Sequence, residues 1–264
     1  MADEENMPDD EANELLEAQR QREEQQSKII SSGNTEIDRK MGGGIPTGSL
    51  CIIDGNNDSG KSVLTQQLTW GALRDNKSIL MLTTENTSKS LLKQMESLAL
   101  DIRDQFILGK IRAYAVHESM LDKECETTAD EIAAKKTILH TILDYIESSP
   151  EKIIIIDSLT VFVSNMDEKE VIGFFTSCKK LCDNGNSIII TVHNYAFNDD
   201  VMTRIISICD AHLHMNTENA GEQIVKTMEV SKIRGAQLTT GNVVSFDVKP
   251  NFGFKIIPIS KAKA

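Results

Sequence analysis

Ser49-Leu50-Cys51-Ile52-Ile53-Asp54-Gly55-Asn56-Asn57-Asp58-Ser59-Gly60-Lys61-Ser62-Val63 decides the fold. From Gly55 to Ser62 it fits G-x-x-x-x-G-K-[ST] at every required position. That pattern is a phosphate-binding loop. Its Gly-rich turn exposes successive backbone N–H groups, the helix that follows adds its positive dipole end, and the Lys and Ser side chains reach the β/γ-phosphates and Mg²⁺. The pattern has meaning only between a strand and a helix. Ser49 to Asp54 is a short apolar run suited to a buried parallel strand, and Ser62 to Trp70 carries apolar residues at helical spacing. The expected nucleotide-binding residues are Gly55, Asn56, Asn57, Asp58, Ser59, Gly60, Lys61, Ser62 and Val63. The alternative is a Gly-rich surface loop.

Outward from this unit, strand-like and helix-like segments alternate. Ser78 to Thr83 reads as a second buried strand, followed by an amphipathic helix over Leu91 to Leu98. A further strand is predicted at Ile111 to Val116 and helical spacing from Thr128 to Ile146. Lys152 to Ser158 is a β-branched run closed by a carboxylate, and a helix at Glu170 to Leu181 and a strand at Ser187 to Val192 follow. Such alternation implies an α/β fold, a mostly parallel central sheet with helices on both faces. From Asp210 the pattern changes to short strands at 210–216, 223–231, 243–248 and 253–259. They predict an antiparallel C-terminal extension.

The chain has 264 residues, 40% of them hydrophobic, and a net charge of −12. That is enough for one sizeable core. Residues 1–28 hold 10 acidic and 3 basic side chains, a net −7 of the total. An acidic segment so poor in large apolar residues does not offset its ordering entropy. Residues 1–27 are therefore expected to be a disordered or solvated tail, with docking of a partner as the other reading, and 28–260 a nucleotide-binding domain. Five cysteines (Cys51, Cys125, Cys178, Cys182, Cys209) form no C-x-x-C pair, which predicts reduced thiols in a cytoplasmic protein. Cys178 and Cys182 are expected in the core. No apolar stretch approaches the roughly 20 residues that span a bilayer, so no membrane insertion is expected. No basic stripe points to nucleic acid.

Beyond the loop, four positions carry chemistry. Asp157, delivered by four isoleucines, is placed like a Walker B carboxylate that would share Mg²⁺ with Ser62; the plainer reading is a strand-capping acid. Glu85, in Thr83-Thr84-Glu85-Asn86, is the best general-base candidate, or else an acid serving the dipole of the helix near Ser88. His193 closes the strand beside that of Asp157, where it senses a γ-phosphate or is merely structural. Lys232 and Arg234, read as two cations on one strand face, are either solvated or reach a neighbouring subunit's nucleotide. Asp210, His212 and His214 fall on one strand face at spacing two. Nothing else of ligand character is seen to converge on them, so no metal is expected there.

Ser31-Ser32-Gly33-Asn34-Thr35-Glu36-Ile37-Asp38 and Gly42-Gly43-Gly44-Ile45-Pro46-Thr47-Gly48-Ser49 resemble the entry to KaiC-like ATPases of the RecA superfamily. Glu85, Asp157 and Lys232-Ile233-Arg234-Gly235 match that family's motifs; Asn86 replaces the second Glu of its pair, and one domain stands where KaiC has two. The resemblance implies ATP and Mg²⁺ as ligands and Lys232 and Arg234 as trans cations. Within the superfamily, Thr83 to Thr87 followed by Leu91, Met95 and Leu98 is similar to the accessory ATP-binding component of the archaellum, the archaeal flagellum. That implies a regulatory role with slow or partner-dependent hydrolysis and a homo-oligomeric ring, by resemblance a hexamer. It also implies partnership with the motor's secretion-type ATPase and membrane or scaffold proteins at the inner face of the cell membrane. A freestanding KaiC-like signalling ATPase and a RecA-type DNA recombinase are the competing readings. The recombinase would want basic loops where Asn165 to Glu168 and Asn198 to Asp200 are acidic.

Overall fold

The computed structural model describes residues 28–116, 128–164, 166–220, 223–236, 238 and 243–257. The predicted tail at 1–27, Cys125, Asn165 and the end of the last predicted strand lie outside them.

Among the described residues, nine strands form one sheet in the order β11-β10-β9-β8-β3-β7-β6-β4-β5. Six of them are parallel: β3 (Leu50–Gly55), β4 (Ile79–Thr83), β5 (Ile111–Ala115), β6 (Ile153–Asp157), β7 (Ser187–His193) and β8 (Ala211–Ala220). The antiparallel extension adds β9 (Gln223–Ile233), β10 (Val243–Lys249) and β11 (Gly253–Ile257). A separate pair, β1 (Ile29–Ile30) and β2 (Ile45–Pro46), precedes the sheet.

The continuous isoleucine runs follow from a sheet covered on both faces, since alternate side chains then enter two cores. Cys51, Ile53, Ile153 and Ile155 face the core built with Leu64 and Leu68 of the helix Lys61–Arg74. Leu50, Ile52, Ile154 and Ile156 face the core built with Phe174 and Phe175 of the helix Glu168–Asp183. Cys51, Cys178, Cys182 and Cys209 are buried free thiols. Burial pushes Cys182 and Cys209 up to about 12, so they stay protonated and inert.

One helix position records a close approach. A Cβ on Gly71 would stand 2.2 Å from Ser31 O and 2.4 Å from Gly33 N. The entry segment thus packs directly on the helix that follows the phosphate loop, and Gln67 Nε2 donates to Ser32 O at 2.9 Å.

One local reading is corrected. The acidic stretch at Asn198–Asp200 opens the helix Asp199–Ile208, where the Asn198 side chain accepts from Val201 N and the two aspartates favour the dipole. Asp210 immediately precedes β8 and takes no part in the contacts that His212 and His214 make. Its carboxylate instead accepts from Leu50 N at 3.0 Å and pairs with Lys179 at 2.9 Å.

Candidate functional site

The phosphate loop leaves β3 at Gly55, whose φ of 155° suits glycine. A Cβ there would lie 1.9 Å from Met215 O on the adjacent β8, so no other residue fits. Gly60 turns the chain into the helix Lys61–Arg74 with φ 97° and no side-chain cap. The first-turn N–H groups are left available to an anion.

A cavity of about 640 Å³ opens above this turn, lined by Asn57 to Val63 together with Glu85, Asp157 and His193. It falls within the size range of small-molecule sites, about 300–1,000 Å³. Gly55 and Asn56 form the loop's base. Lys61 Nζ donates to Gly55 O at 3.0 Å and Asn56 O at 2.6 Å. Burial lowers its pKa, opposed chiefly by the Asp157 and Glu85 carboxylates.

Asp157 is buried and accepts three hydroxyls: Thr191 Oγ1 at 2.7 Å, Thr65 Oγ1 at 3.2 Å and Ser62 Oγ at 3.3 Å. Ser62 and Asp157 thus bring a hydroxyl and a carboxylate together beside the loop. This hard-oxygen set fits Mg²⁺, which takes one or two protein oxygens plus substrate phosphates. Glu85 stands on the same rim, because Thr83 at the end of β4 is in register with Asp157 and Thr84 N donates to Asp157 O at 3.0 Å. Its side chain is open to solvent, yet partial burial, and next the Asp157 charge, push its carboxyl up. Asn86 is buried instead, accepting from Ser90 Oγ at 3.1 Å and Gln94 Nε2 at 2.9 Å.

His193 is held by Thr160, whose Oγ1 accepts from His193 N at 2.8 Å and Ser158 Oγ at 2.9 Å. With both lone pairs used, the Thr160 hydroxyl proton goes to His193 Nδ1, 3.1 Å away. The ring proton then sits on Nε2. Burial, and then Lys61, lower the His193 pKa and favour this neutral donor. Tyr195 stacks on the ring at 5.2 Å.

Lys232 and Arg234 lie elsewhere. Lys232 is in register with His212, and His212 with Ile52. That places Lys232 three residues back from Gly55, roughly 10 Å along the strand at about 3.3 Å per residue. Its Nζ donates to Ile206 O and Cys209 O at 2.9 and 2.6 Å, at the end of the helix Asp199–Ile208. Arg234 follows the end of β9 and meets Ser207 O at 3.4 Å and Asp210 at 3.5 Å, beside the same helix end as Lys232. Neither lines the cavity of its own chain.

Several residues of this rim escaped the sequence reading. Asn56 Nδ2 donates to Asn216 Oδ1 at 2.7 Å, Asn194 Nδ2 donates to Asn56 Oδ1, and Lys226 reaches Asp58 O. Thr191 had a visible signal: it is the lone polar residue in Ile188-Ile189-Ile190-Thr191-Val192. The asparagine clamp had none.

Residues 30–261 match the family described as ATPase: KaiC. The chain is 33% identical over 236 residues to the archaeal flagellar ATP-binding protein FlaH of Sulfolobus acidocaldarius, covering 89% of this chain and 100% of that one. It is 26% identical to the protein of that name from Methanocaldococcus jannaschii, over 86% of this chain and 94% of the other. The crystal structure of the flagellar accessory protein FlaH from M. jannaschii superposes with a TM-score of 0.71 and 24% identity, covering 88% of this chain and 99% of that one.

Proposed function

This chain belongs to the KaiC family of ATPases and, within it, to the FlaH proteins, and from that premise we propose that it is the ATP-binding regulatory component of an archaellum motor. The observation that carries this reading is the convergence on one rim of Lys61, Ser62 and Asp157, with Glu85 and His193 around the same cavity. Its relatives, archaeal flagellar ATP-binding proteins, supply the biological setting.

In this reading ATP lies with its phosphates in the loop, where Lys61 exchanges its carbonyl partners for phosphate oxygens. Ser62 and Asp157 would hold Mg²⁺, which neutralises phosphate charge when bound. His193 offers its Nε2–H to the γ-phosphate. Glu85 orients the attacking water and accepts its proton, but it acts without a second carboxylate, because Asn86 is turned inward. Slow hydrolysis follows, so occupancy rather than turnover is the output. Lys232 and Arg234, remote from their own cavity, act on the nucleotide of an adjacent subunit in a ring, for which six subunits is the family expectation. The motor's secretion-type ATPase and membrane or scaffold proteins at the inner face of the membrane are the partners, reached without insertion, since no described helix is long and apolar enough to cross a bilayer. Nucleic acid is not a partner in this reading.

Thermal unfolding with and without MgATP tests the core of the proposal. At 100 times its dissociation constant, nucleotide adds about 2.7 kcal/mol to the stability of the wild type. Lys61→Ala is expected to fold and to show no such shift. An equal shift in both proteins would overturn the assignment.

A further inference from the structure

We propose that Asp54, His212 and His214 form a second metal site, for a divalent transition metal of the zinc, cobalt and nickel class, distinct from the Mg²⁺ position beside Ser62. The histidine pair at spacing two lacked a partner in the sequence reading, and the fold supplies one from β3, about 160 residues away in the chain. His212 Nε2 lies 2.6 Å from Asp54 Oδ1 and His214 Nδ1 2.8 Å from Asp54 Oδ2. One ligand atom from each of the three residues falls within 4.8 Å of the others.

The placement is a consequence of sheet geometry. Asp54 and His214 are in register across the parallel β3–β8 pair, and alternation puts His212 and His214 on one face of β8. Leu213 and Met215 face the opposite core. A single carboxylate therefore bridges two imidazoles, each contact holding one proton between nitrogen and oxygen. A dication replaces both contacts: the proton of each contact moves to the ring's other nitrogen, or leaves to solvent where that nitrogen already carries one, so that two neutral imidazoles face the ion. Two imidazoles and one carboxylate are the donor set of zinc and its neighbours, whereas Mg²⁺ wants oxygen alone. Zinc ligands at about 2.0–2.1 Å sit closer to one another than the present spread, so side-chain rotation toward the ion is part of binding. The site has walls and an entrance: Asp54 and His212 are buried, while the His214 side chain is 35% exposed. Burial alone would push the Asp54 carboxyl up, but the hydrogen bonds from His212 and His214 outweigh it and hold the group at about 2. Glu229, opposite His214 on β9, or water completes the coordination. A bound ion fastens β8 to β3 one residue before Gly55, independently of whether ATP is the nucleotide.

The test is a Co²⁺ titration of the untagged, chelator-treated, nucleotide-free full chain, read by visible absorption. One saturable equivalent is expected, displaced by Zn²⁺ and not by tenfold excess Mg²⁺. His214→Ala and Asp54→Asn are each expected to weaken Co²⁺ at least 10-fold, the scale of losses at metal sites. His140→Ala, an exposed helix position, should leave it unchanged. Melting curves establish that each variant is folded, and a Zn²⁺-dependent rise in the wild-type melting temperature is a second readout. No saturable Co²⁺ site, thiolate charge-transfer bands assigning the ion to cysteine, or unchanged affinity in both ligand variants would each overturn the proposal and leave a proton-bridged triad.

Discussion

Thr191 Oγ1 stands 2.7 Å from Asp157 Oδ1, reaching from β7 to the carboxylate on the neighbouring β6. This is the shortest of the three hydroxyl contacts to that buried acid, and it aims the oxygen shared with Ser62. Thr191→Val keeps the shape and removes a hydrogen bond to an ionised group, a class worth about 1.5–3 kcal/mol. We expect lower stability by that order and a weaker Mg²⁺ requirement for nucleotide binding, both read from melting curves at graded Mg²⁺. Stability and Mg²⁺ response equal to the wild type would show that Thr191 is only a spacer.

Glu85→Gln is expected to lower hydrolysis by about 10²–10⁴, the usual contribution of a general base, with ATP affinity nearly intact. Because burial and Asp157 raise the Glu85 carboxyl above 4.5, its inactive protonated form builds up at a higher pH than an ordinary glutamate would give. The kcat/KM profile of the wild type should therefore fall on the acid side beginning above that value. The variant's residual activity should lack this limb; if it persists, the base is another group.

Gly71→Ala sets two effects against each other. Alanine is favoured over glycine inside a helix by about 1 kcal/mol, but the added methyl would enter the space of Ser31 O and Gly33 N. Both are backbone atoms and cannot swing aside, and overpacking costs typically about 1–3 kcal/mol. Chemical denaturation should show net destabilisation, and a more stable variant would mean that the entry segment is readily displaced.

Arg234→Ala removes an exposed side chain with one 3.4 Å hydrogen bond and one 3.5 Å ion pair. Folding should change by less than about 0.5 kcal/mol, as at most surface sites. ATP-dependent assembly should nevertheless weaken more than ATP binding by the monomer. Light scattering across a protein titration, with ATP, ADP or neither and with the partner ATPase present, measures this. Oligomer mass indifferent to both nucleotide and Arg234 argues for a solvated cation.

What the sequence made legible was whatever local chemistry dictates. The predicted strand ending at Asp54 ends at Gly55, and that ending at Val192 ends at His193, because isoleucine runs bounded by polar residues leave little freedom. The helix Asp199–Ile208 was hidden by its acidic start, although Asn198 is a capping residue and Val201, Ile205 and Ile208 follow at helical spacing. Lateral order was hidden for a deeper reason. That β3 lies between β7 and β8 depends on long-range packing, so neither the asparagine clamp on Asn56 nor the approach of Asp54 to the two histidines could be read from spacing. The judgement that nothing converges on His212 and His214 failed there.

The contact of Gly55 with Met215, and of Asn56 with Asn216, has a temporal meaning. The motif at 55–62 is translated early, yet its floor is built from a strand lying 160 residues later. At about 5–20 residues per second, a ribosome needs on the order of 10 s to deliver that floor. Nascent chains halted before Ala211 thus carry an intact signature without the strand that packs beneath it.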